Sequence, residues 1–147
     1  MSKQPLVIIN SPTATGKTKL AIDLALFFGG EIISADSLQV YRYLDIGTAK
    51  PTVEERSKVG HHLIDVVNPD EEFNAAIFTE RATPIIDNLA KSGKPVFVAG
   101  GTGLYIRALT RGIIETPKVD ENIRNYYRSM RDSRGRDHLY NLLLQKD

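Results

Sequence analysis

The chain has 147 residues and a formal net charge of +1, with 41% hydrophobic and 25% charged residues. This length suits a single domain with a real core, and the composition is ordinary for a soluble globular protein. The chain has no cysteine, which excludes a disulfide framework and a thiolate metal site, and the small net charge does not by itself indicate nucleic-acid binding.

The first apolar run of the chain is short and covers residues 6–9. It is shorter than the core of a signal peptide and far shorter than a membrane span. We therefore expect a cytoplasmic protein that does not associate with membranes, and we expect it to be a monomer.

Apolar runs bounded by turn residues predict buried strands of a parallel sheet at 6–9, 31–34 and 95–99. Helices are predicted at 17–28, 52–59, 75–92, 102–111, 119–130 and 137–145. The spacing of apolar residues indicates them, except that the helix at 52–59 is predicted from Thr52 as its N-cap with Glu55 three residues on. Pro84 lies inside the third helix, so we expect a kink or a break there. The alternation predicts an α/β fold, a parallel sheet flanked by helices as in phosphate-loop nucleotide-binding proteins.

The loop between the first strand and the first helix nearly matches the phosphate-binding pattern G-x-x-x-x-G-K-[ST]. It consists of Ser11-Pro12-Thr13-Ala14-Thr15-Gly16-Lys17-Thr18. In such a loop, backbone N–H groups and the helix N-terminus hold an anion. Lys17 adds a positive charge, and the Thr18 hydroxyl is a ligand for Mg²⁺. A tight turn without a ligand is the alternative, which the position between a strand and a helix disfavours.

Two details of this loop concern its ligand. Ser11 replaces the first glycine of the pattern. If that position needs a positive φ, the serine backbone is strained by about 1 kcal/mol relative to glycine. ATP is the commonest ligand of such loops, but NTPases usually carry a carboxylate for Mg²⁺ at the end of a neighbouring strand. Here the third predicted strand continues into Gly100-Gly101 without an acid, which counts against a standard ATPase.

Asp36 and Thr102 follow the second and third predicted strands. Residues just beyond the carboxyl ends of strands in an open α/β sheet face the ligand crevice, so Asp36 should lie near the phosphate loop. There it could orient and deprotonate an acceptor group, or it could only cap a helix or a turn. Thr102 could present its hydroxyl to the same crevice, or it could cap the helix that it opens.

Three further sets of residues have two interpretations each. His61 and His62 are adjacent and lack the i, i+4 spacing of zinc ligands on a helix, so we interpret them as structural. Tyr41, Tyr43 and Tyr105 could stack on a base, although we expect core packing for at least one. Arginines at 124, 128, 131, 134 and 136 are accompanied only by Asp132; such a run attracts phosphates or forms a solvated helix face.

Several segments occur in an order that is typical of one family. The phosphate loop is similar to G-P-T-A-S-G-K-T, and residues 34–41, SADSLQVY, are similar to S-A-D-S-x-Q-V-Y. Residues 45–51, 61–65 and 100–105 have the sequences DIGTAKP, HHLID and GGTGLY. Together these segments resemble the tRNA dimethylallyltransferase family, over roughly residues 5 to 127 and with Arg124 at a similar spacing.

The resemblance implies a reaction and its residues. Members of this family transfer a dimethylallyl group from dimethylallyl diphosphate to N6 of the adenosine 3′ of the anticodon in tRNA, and they release diphosphate. The resemblance implies that the phosphate loop binds this diphosphate with Mg²⁺ and that Asp36 accepts the amine proton, with Lys17 and Thr102 as further catalytic residues. Contacts with tRNA are implied for Asp36, Ser37, Leu38, Gln39, Thr102 and Arg124.

The departing diphosphate gains negative charge, which backbone amides, Lys17 and Mg²⁺ can hold. Such a displacement activates no water, which agrees with the missing acid after the third strand. Family members are about twice as long as this chain. We therefore assign 1–115 to the α/β core and expect 116–147 to be the beginning of a helical tRNA-binding insertion, cut short here. The alternatives are an adenylate-type isopentenyltransferase, a non-catalytic diphosphate-binding fragment and a small-molecule kinase.

Overall fold

The computed structural model describes residues 6–12, 14–113 and 119–146. The chain divides into two compact units, Met1–Ile113 and Ile114–Asp147. The predicted boundary between residues 115 and 116 lies outside the described residues, as does Thr13 of the phosphate loop. No helix among the described residues is long and apolar enough to cross a membrane.

A four-stranded, fully parallel sheet forms the centre of the first unit. Its strands are β1 (Leu6–Asn10), β2 (Glu31–Ser34), β3 (His61–His62) and β4 (Val96–Gly100), in the spatial order β1-β4-β2-β3. The three predicted strands are confirmed, and β3 is an addition. Two residues are too few to show a period, and β3 is defined by its pairing with Ile32 and Ile33 of β2.

Four predicted helices of the first unit are confirmed. They are α1 (Lys17–Phe28), α2 (Val53–Lys58), α3 (Ala75–Lys91) and α4 (Gly103–Arg111). The start of α2 has a capping box, in which the Thr52 hydroxyl accepts from the Glu55 N–H and the Glu55 carboxylate accepts from the Thr52 N–H. This reciprocal pair satisfies two of the N–H groups that a helix start leaves free.

Helix α3 continues through Pro84. Of the two expectations at this position, a kink or a break, the break is therefore wrong. An interior proline costs about 3 kcal/mol. Phe78 precedes Pro84 and Leu89 follows it, and both side chains are buried in the same core cluster. Because each buried apolar side chain of this size contributes about 1.5–3 kcal/mol, the packing on both sides of the proline keeps the helix continuous.

The sheet buries both of its faces. On one face, Ala21 and Ala25 of α1 pack with Ile32 and Phe97 of the sheet. The opposite face packs against α3 and α4, in a cluster that contains Ile33, Val40, Phe78, Val98 and Tyr105. Neighbouring residues of β2 therefore point to opposite layers, as a strand's period of two requires.

The carboxyl ends of β1, β2 and β4 meet at one edge of the sheet. The register pairs Asn10 with Gly100 and Ser34 with Ala99. A Cβ atom on Gly100 would collide with the backbone of Ala35, so this close approach of two strand ends requires glycine. The three segments that follow these strands consequently begin side by side, which is the usual position of a ligand crevice.

The second unit contains two helices, α5 (Glu121–Arg134) and α6 (Arg136–Leu144). Gly135 separates them with a φ of 81°, and Asp120 caps α5 by accepting a hydrogen bond from the Asn122 N–H at 2.8 Å. The two predicted helices are thus present, with shifted ends. Neither helix has a buried residue.

Candidate active site

A cavity of about 220 Å³ lies at the edge where the strands end. The phosphate loop and the start of α1 line one side of it through Ala14, Gly16, Lys17 and Thr18. Asp36, Leu38 and Gln39 contribute from the segment after β2. A second wall consists of Gly47, Thr48, Ala49, Pro51, His61 and Ile64. The cavity therefore brings together most of the described residues of the phosphate loop and of the segment at 36–39.

The side chains of the phosphate loop bond mainly to the loop itself. The Ser11 and Thr15 hydroxyl oxygens are 2.6 Å apart, and the Thr15 hydroxyl also donates to the Pro12 carbonyl at 2.9 Å. The Lys17 ammonium donates to the same carbonyl at 3.3 Å. These contacts place the lysine charge over the loop, where its backbone N–H groups add to the positive potential.

Positive φ angles in this loop fall at Ala14 (66°) and Gly16 (85°). A Cβ on Gly16 would meet nothing within 4 Å, so the backbone angle and not space favours glycine there. Ala14 carries a strain of about 1 kcal/mol or more in the left-handed region, and such strain is concentrated at ligand sites. Ser11 is not among the described residues with a positive φ. Serine at the first position of the pattern therefore causes no backbone strain.

Asp36 both forms a turn and lines the cavity. Its Oδ1 accepts a hydrogen bond from the Leu38 N–H at 2.9 Å, which is the turn geometry that short acidic side chains favour. The half-buried carboxylate faces the same cavity as Lys17 and Thr18. The two alternatives for Asp36 are therefore compatible, since one oxygen fixes the turn and the carboxylate has a second oxygen for a ligand.

Thr102 precedes α4, but its side chain makes no capping hydrogen bond, so the cap interpretation of its hydroxyl is wrong. The Thr102 hydroxyl oxygen instead accepts from the Ser37 N–H at 2.9 Å, and the Thr102 N–H donates to the Ala35 carbonyl at 3.1 Å. Thr102 is not in the cavity lining. It fixes the segment that carries Asp36, and its hydroxyl proton is not used by these contacts.

The Gln39 side chain connects β2 to the second wall. Its Oε1 accepts from the Ser34 hydroxyl at 2.9 Å, while its Nε2 donates to the carbonyls of Thr48 at 3.2 Å and Ala49 at 3.0 Å. Both amide N–H donors of Gln39 are therefore used within the protein. Ser37 and Leu38, the latter 50% exposed, leave their side chains open to a partner.

A charged cluster that the sequence interpretation missed supports the second wall. The side chain of Lys50 is only 6% exposed, and its ammonium lies 2.9 Å from Asp45, 2.8 Å from Asp65 and 2.7 Å from the Tyr41 carbonyl. Arg56 bonds to the other oxygen of Asp65 at 2.7 Å. The signal was available as charges inside the segments at 45–51 and 61–65, but their pairing depends on the folded chain.

This cluster shifts the pKa values of its members. Burial raises the pKa of Asp65. Hydrogen bonds from Lys50 and Arg56 lower it by a larger amount together, so the net shift of the pKa is downward. Burial lowers the pKa of Lys50, and the hydrogen bonds to Asp65 and Asp45 raise it, with a net rise. Both groups are thus held in their charged forms.

Ile64 of the second wall lies between two residues with left-handed backbones, Leu63 (φ 60°) and Asp65 (φ 56°). Its side chain is 6% exposed and lines the cavity. The Asp65 N–H donates to the Gln39 carbonyl at 3.0 Å, and the Val66 N–H donates to the Val40 carbonyl at 2.8 Å. These bonds and the ion pairs of Asp65 hold a strained turn that fixes Ile64 in the cavity wall.

His61 lines the cavity and His62 does not. His62 bonds to the Glu31 carboxylate at 2.7 Å. The His61 Nδ1 lies 2.8 Å from the Val59 carbonyl, and because a carbonyl only accepts, Nδ1 carries the proton. The Nε2 atom of His61 is buried without a hydrogen-bond partner among the described residues. Burial is the main cause that lowers the His61 pKa, so the ring is neutral.

The aromatic and basic candidates have separate positions. Tyr105 is 4% exposed and stacks on Phe78 with ring centroids 4.8 Å apart, which confirms core packing for one of the three tyrosines. Tyr43 is 78% exposed. In the second unit, Arg124 lies in an α5–α6 groove that is lined by Val119, Ile123, Arg124, Tyr127, Arg128, Arg131 and Leu139.

Two arginines of this groove have acidic partners. Arg128 lies 3.1 Å from Glu121, and Arg131 lies 2.8 Å from Asp132. Arg124 is exposed on the same helix. The groove thus combines positive charge, an aromatic ring and apolar side chains on a solvent-facing surface.

Comparisons with known proteins agree on one family. A family model described as IPP transferase matches residues 39–147. A tRNA dimethylallyltransferase 2 of Syntrophus aciditrophicus is 53% identical over 147 residues, which are 100% of this chain and 47% of that protein. A tRNA dimethylallyltransferase of Geobacter metallireducens is 49% identical over 145 residues, 99% of this chain and 47% of that protein. The chain spans about half the length of the curated relatives that it matches.

Solved structures give the same result. A full-length tRNA isopentenylpyrophosphate transferase from Bacillus halodurans matches with a TM-score of 0.74 and 44% identity, over 99% of this chain and 48% of that chain. A eukaryotic dimethylallyltransferase acting on tRNA matches with a TM-score of 0.78 and 30% identity, over 98% of this chain and 36% of that chain. The α/β fold with its parallel sheet is the fold of these enzymes.

Proposed function

This chain belongs to the IPP transferase family, and we propose that it provides the donor site of an enzyme that transfers a dimethylallyl group from dimethylallyl diphosphate to N6 of the adenosine 3′ of the anticodon in tRNA. One observation carries the proposal: Lys17 and Thr18 of the phosphate loop line the same cavity as the Asp36 carboxylate. An anchor for a leaving diphosphate and a proton acceptor in one cavity are what displacement by an amine requires.

In the proposed step, the N6 lone pair forms a bond to C1 of the dimethylallyl group while the C1–O bond to the diphosphate breaks. The bonding electrons leave with the diphosphate, and the N6 proton passes to Asp36. Lys17 and the loop N–H groups stabilise the charge on the leaving group. Thr102 holds the Ser37 N–H next to Asp36, so it positions the base.

The donor set of the cavity fits Mg²⁺. The Thr18 hydroxyl and the Asp36 carboxylate supply hard oxygen atoms in the same cavity, and Mg²⁺ usually takes one or two protein ligands together with phosphate oxygens and water. When bound there with a diphosphate, Mg²⁺ would neutralise part of the leaving group's charge. Thr18 would hold the ion, and the Asp36 carboxylate, which lines the same cavity, would act on the amine.

Recognition of tRNA belongs to two surfaces in this proposal. Ser37 and Leu38 are exposed beside the cavity and would contact an adenine extruded from the anticodon loop, since an amine within a stack cannot reach a pocket. Arg124 would bind tRNA phosphates from the α5–α6 groove, where Tyr127 offers a ring for stacking. Gln39 would act by holding the second wall, because its amide donors already have partners.

A transfer assay with an isosteric variant tests the proposal. The chain is incubated with dimethylallyl diphosphate, Mg²⁺ and an anticodon stem-loop, and mass spectrometry detects prenylated adenosine. Asp36→Asn keeps an oxygen for the Leu38 N–H but accepts no proton, so transfer should fall by about 100-fold or more. Asp23→Asn, on the exposed side of α1, is the matched control and should transfer like the unchanged chain.

Other outcomes separate the alternatives. Undiminished transfer by Asp36→Asn would refute Asp36 as the proton acceptor. Transfer to free adenosine monophosphate but not to the stem-loop would favour an adenylate-type isopentenyltransferase, and phosphoryl transfer from ATP would favour a small-molecule kinase. Binding of dimethylallyl diphosphate without any transfer would make this chain a non-catalytic diphosphate-binding fragment.

A further inference from the structure

The backbone of Tyr43 has a conformation that is unusual for an aromatic residue. Its φ is 66°, in the left-handed region where the Cβ atom of an L-residue crowds a carbonyl oxygen. The side chain is 78% exposed, so packing of the ring within this protein does not compensate for the strain. Such strain is concentrated at ligand sites, and it therefore points to a function of the exposed ring.

The residues on both sides of Tyr43 are fixed to the second wall of the cavity. The Arg42 guanidinium donates to the Asp65 carbonyl at 3.0 Å. The Leu44 carbonyl accepts from the Thr48 hydroxyl at 2.8 Å, and Thr48 lines the cavity. Hydrogen bonds of its two neighbours therefore hold Tyr43 in the strained conformation beside this wall.

Two aliphatic side chains near Tyr43 are also exposed. Leu38, which lines the cavity, is 50% exposed. Ile46 is 99% exposed and directly precedes Gly47, which lines the cavity as well. Single exposed apolar residues are ordinary on a protein surface, but these two and Tyr43 occur together at 38–46. This segment thus presents an aromatic ring and two aliphatic side chains to solvent where the chain leaves the cavity.

The acceptor in the proposed function creates a need for such a surface. An adenosine that leaves the stack of the anticodon loop to enter the cavity deprives the bases on either side of it of a stacking partner. These bases remain outside the cavity. An aromatic side chain can replace the lost partner, and it does so for any base, because every base has a π-face.

We propose that Tyr43 is a tRNA-binding residue and that its ring stacks on a base next to the reacting adenosine of the anticodon loop. The inference rests on the proposed function, since it takes this loop as the acceptor. Tyr43 has no part in bond making or proton transfer. Its loss should therefore weaken RNA binding and leave the affinity for dimethylallyl diphosphate unchanged.

Fluorescence anisotropy with a labelled anticodon stem-loop tests the role of the ring. Tyr43→Leu keeps an apolar residue but removes the ring, and the affinity should fall about tenfold. Tyr43→Phe keeps the ring and should bind within about twofold of the unchanged chain. Phe27→Leu is the matched control, because Phe27 is 80% exposed in the last turn of α1, at the end away from the phosphate loop; it should leave the affinity unchanged.

Abasic stem-loops test for the base that pairs with this ring. Two stem-loops each carry one abasic nucleotide, on the 5′ or the 3′ side of the reacting adenosine. One of them should bind the unchanged chain about tenfold more weakly than the intact stem-loop does. Tyr43→Leu should bind that same stem-loop and the intact one within about twofold of each other, because the ring and the base share one interaction. Equal losses in the two chains would contradict stacking by Tyr43.

Stability should change in the opposite direction from binding. Glycine adopts a φ of 66° without strain, so the thermal midpoint of Tyr43→Gly should rise by about 2–4 °C. Its affinity for the stem-loop should fall as in Tyr43→Leu. A lowered midpoint would show that the ring stabilises the fold, which would contradict the inference.

The remaining outcomes separate this inference from the proposed function. If the unchanged chain binds dimethylallyl diphosphate but not the stem-loop, the tRNA part of the proposed function fails first and the role of Tyr43 fails with it. Stem-loop binding that Tyr43→Leu leaves undiminished would overturn the role of Tyr43 alone. A dimer of the unchanged chain in sedimentation velocity that Tyr43→Leu dissociates would make the ring a contact between copies and would also overturn it.

Discussion

The two walls of the cavity hold their shapes by different means. The phosphate loop is short, its side chains bond within the loop, and its position follows from the strand and helix that flank it. The second wall is irregular, and buried charges and distant backbone contacts hold it. Of the five described non-glycine residues with positive φ, Ala14 lies in the loop and the others, Tyr43, Ala49, Leu63 and Asp65, lie at 43–65. One wall of the site thus depends on contacts between residues that are close in the sequence, and the other depends on contacts between residues that are far apart in it.

Removing the buried charge of the second wall should have the largest effect. Lys50→Met removes the ammonium group that Asp45, Asp65 and the Tyr41 carbonyl share, and the loss of these charge-assisted hydrogen bonds should cost about 2–3 kcal/mol. Urea unfolding should show this loss in the free energy of unfolding. Lys94→Met is the matched control, because Lys94 pairs with Glu31 at a 49% exposed position and should cost about 1 kcal/mol or less. Equal losses in the two variants would contradict the distinction between the walls.

The phosphate loop should respond in the opposite way, with binding lost and stability kept. Lys17→Ala removes a charge-assisted contact to a diphosphate, and the affinity for dimethylallyl diphosphate should fall by about 10- to 100-fold. The thermal midpoint should hardly change, because among the described residues the half-buried Lys17 bonds only to the Pro12 carbonyl. Lys19→Ala, on the exposed side of α1, should leave the affinity unchanged. A large loss of stability in Lys17→Ala would show that the loop also depends on this contact.

Acid should weaken the second wall selectively. The folded-state pKa of Asp65 lies below its usual value, so its contribution to stability is complete above about pH 4 and is lost as the pH falls through the lowered pKa. Asp65→Asn should be less stable near neutral pH but should lose less on acidification. The pKa of Glu31 is also lowered, by hydrogen bonds from Lys94 and His62. Because the unchanged protein and Asp65→Asn both keep Glu31, its contribution does not affect the difference between their pH curves. Parallel pH curves for the two chains would contradict the assignment to Asp65.

The smallest effect is expected at the first position of the loop. Because Ser11 has no positive φ, Ser11→Gly relieves no strain. Loss of the exposed contact with the Thr15 hydroxyl and the greater freedom of glycine in the unfolded chain should lower the free energy of unfolding by about 0.5–1 kcal/mol. The affinity for dimethylallyl diphosphate should also be kept. Stabilisation by about 1 kcal/mol would instead show that serine is strained at this position.

The sequence predicted the first wall well because its signals are local. Residues 6–28 contain the strand, the loop pattern and the amphipathic helix that follows it. Each of the three parts of this 23-residue segment can be predicted from its own residues alone. The position of Asp36 followed from a general property of parallel sheets. The capping box at Thr52 likewise depends on residues three apart.

The second wall could not be predicted in the same way. Gln39 pairs with carbonyls nine and ten residues away, and Lys50 pairs with a carboxylate fifteen residues away; no periodic pattern encodes such contacts. Strand β3 has two residues and is defined by its neighbour. The unpaired Nε2 of His61 is a property of burial, and the sequence interpretation had treated this histidine as structural. Charge and polarity were visible in these segments, but their partners were not.

The backbone bonds of Asp65 and Val66 tie the second wall to the segment after β2, and Arg42 donates to Val67 in return. This interleaving makes the wall part of the same cooperative unit as the buried core. In hydrogen exchange, the amides of Asp65 and Val66 should therefore open only with the slowest group of the first unit. The protein would then lose this wall of its cavity only on unfolding.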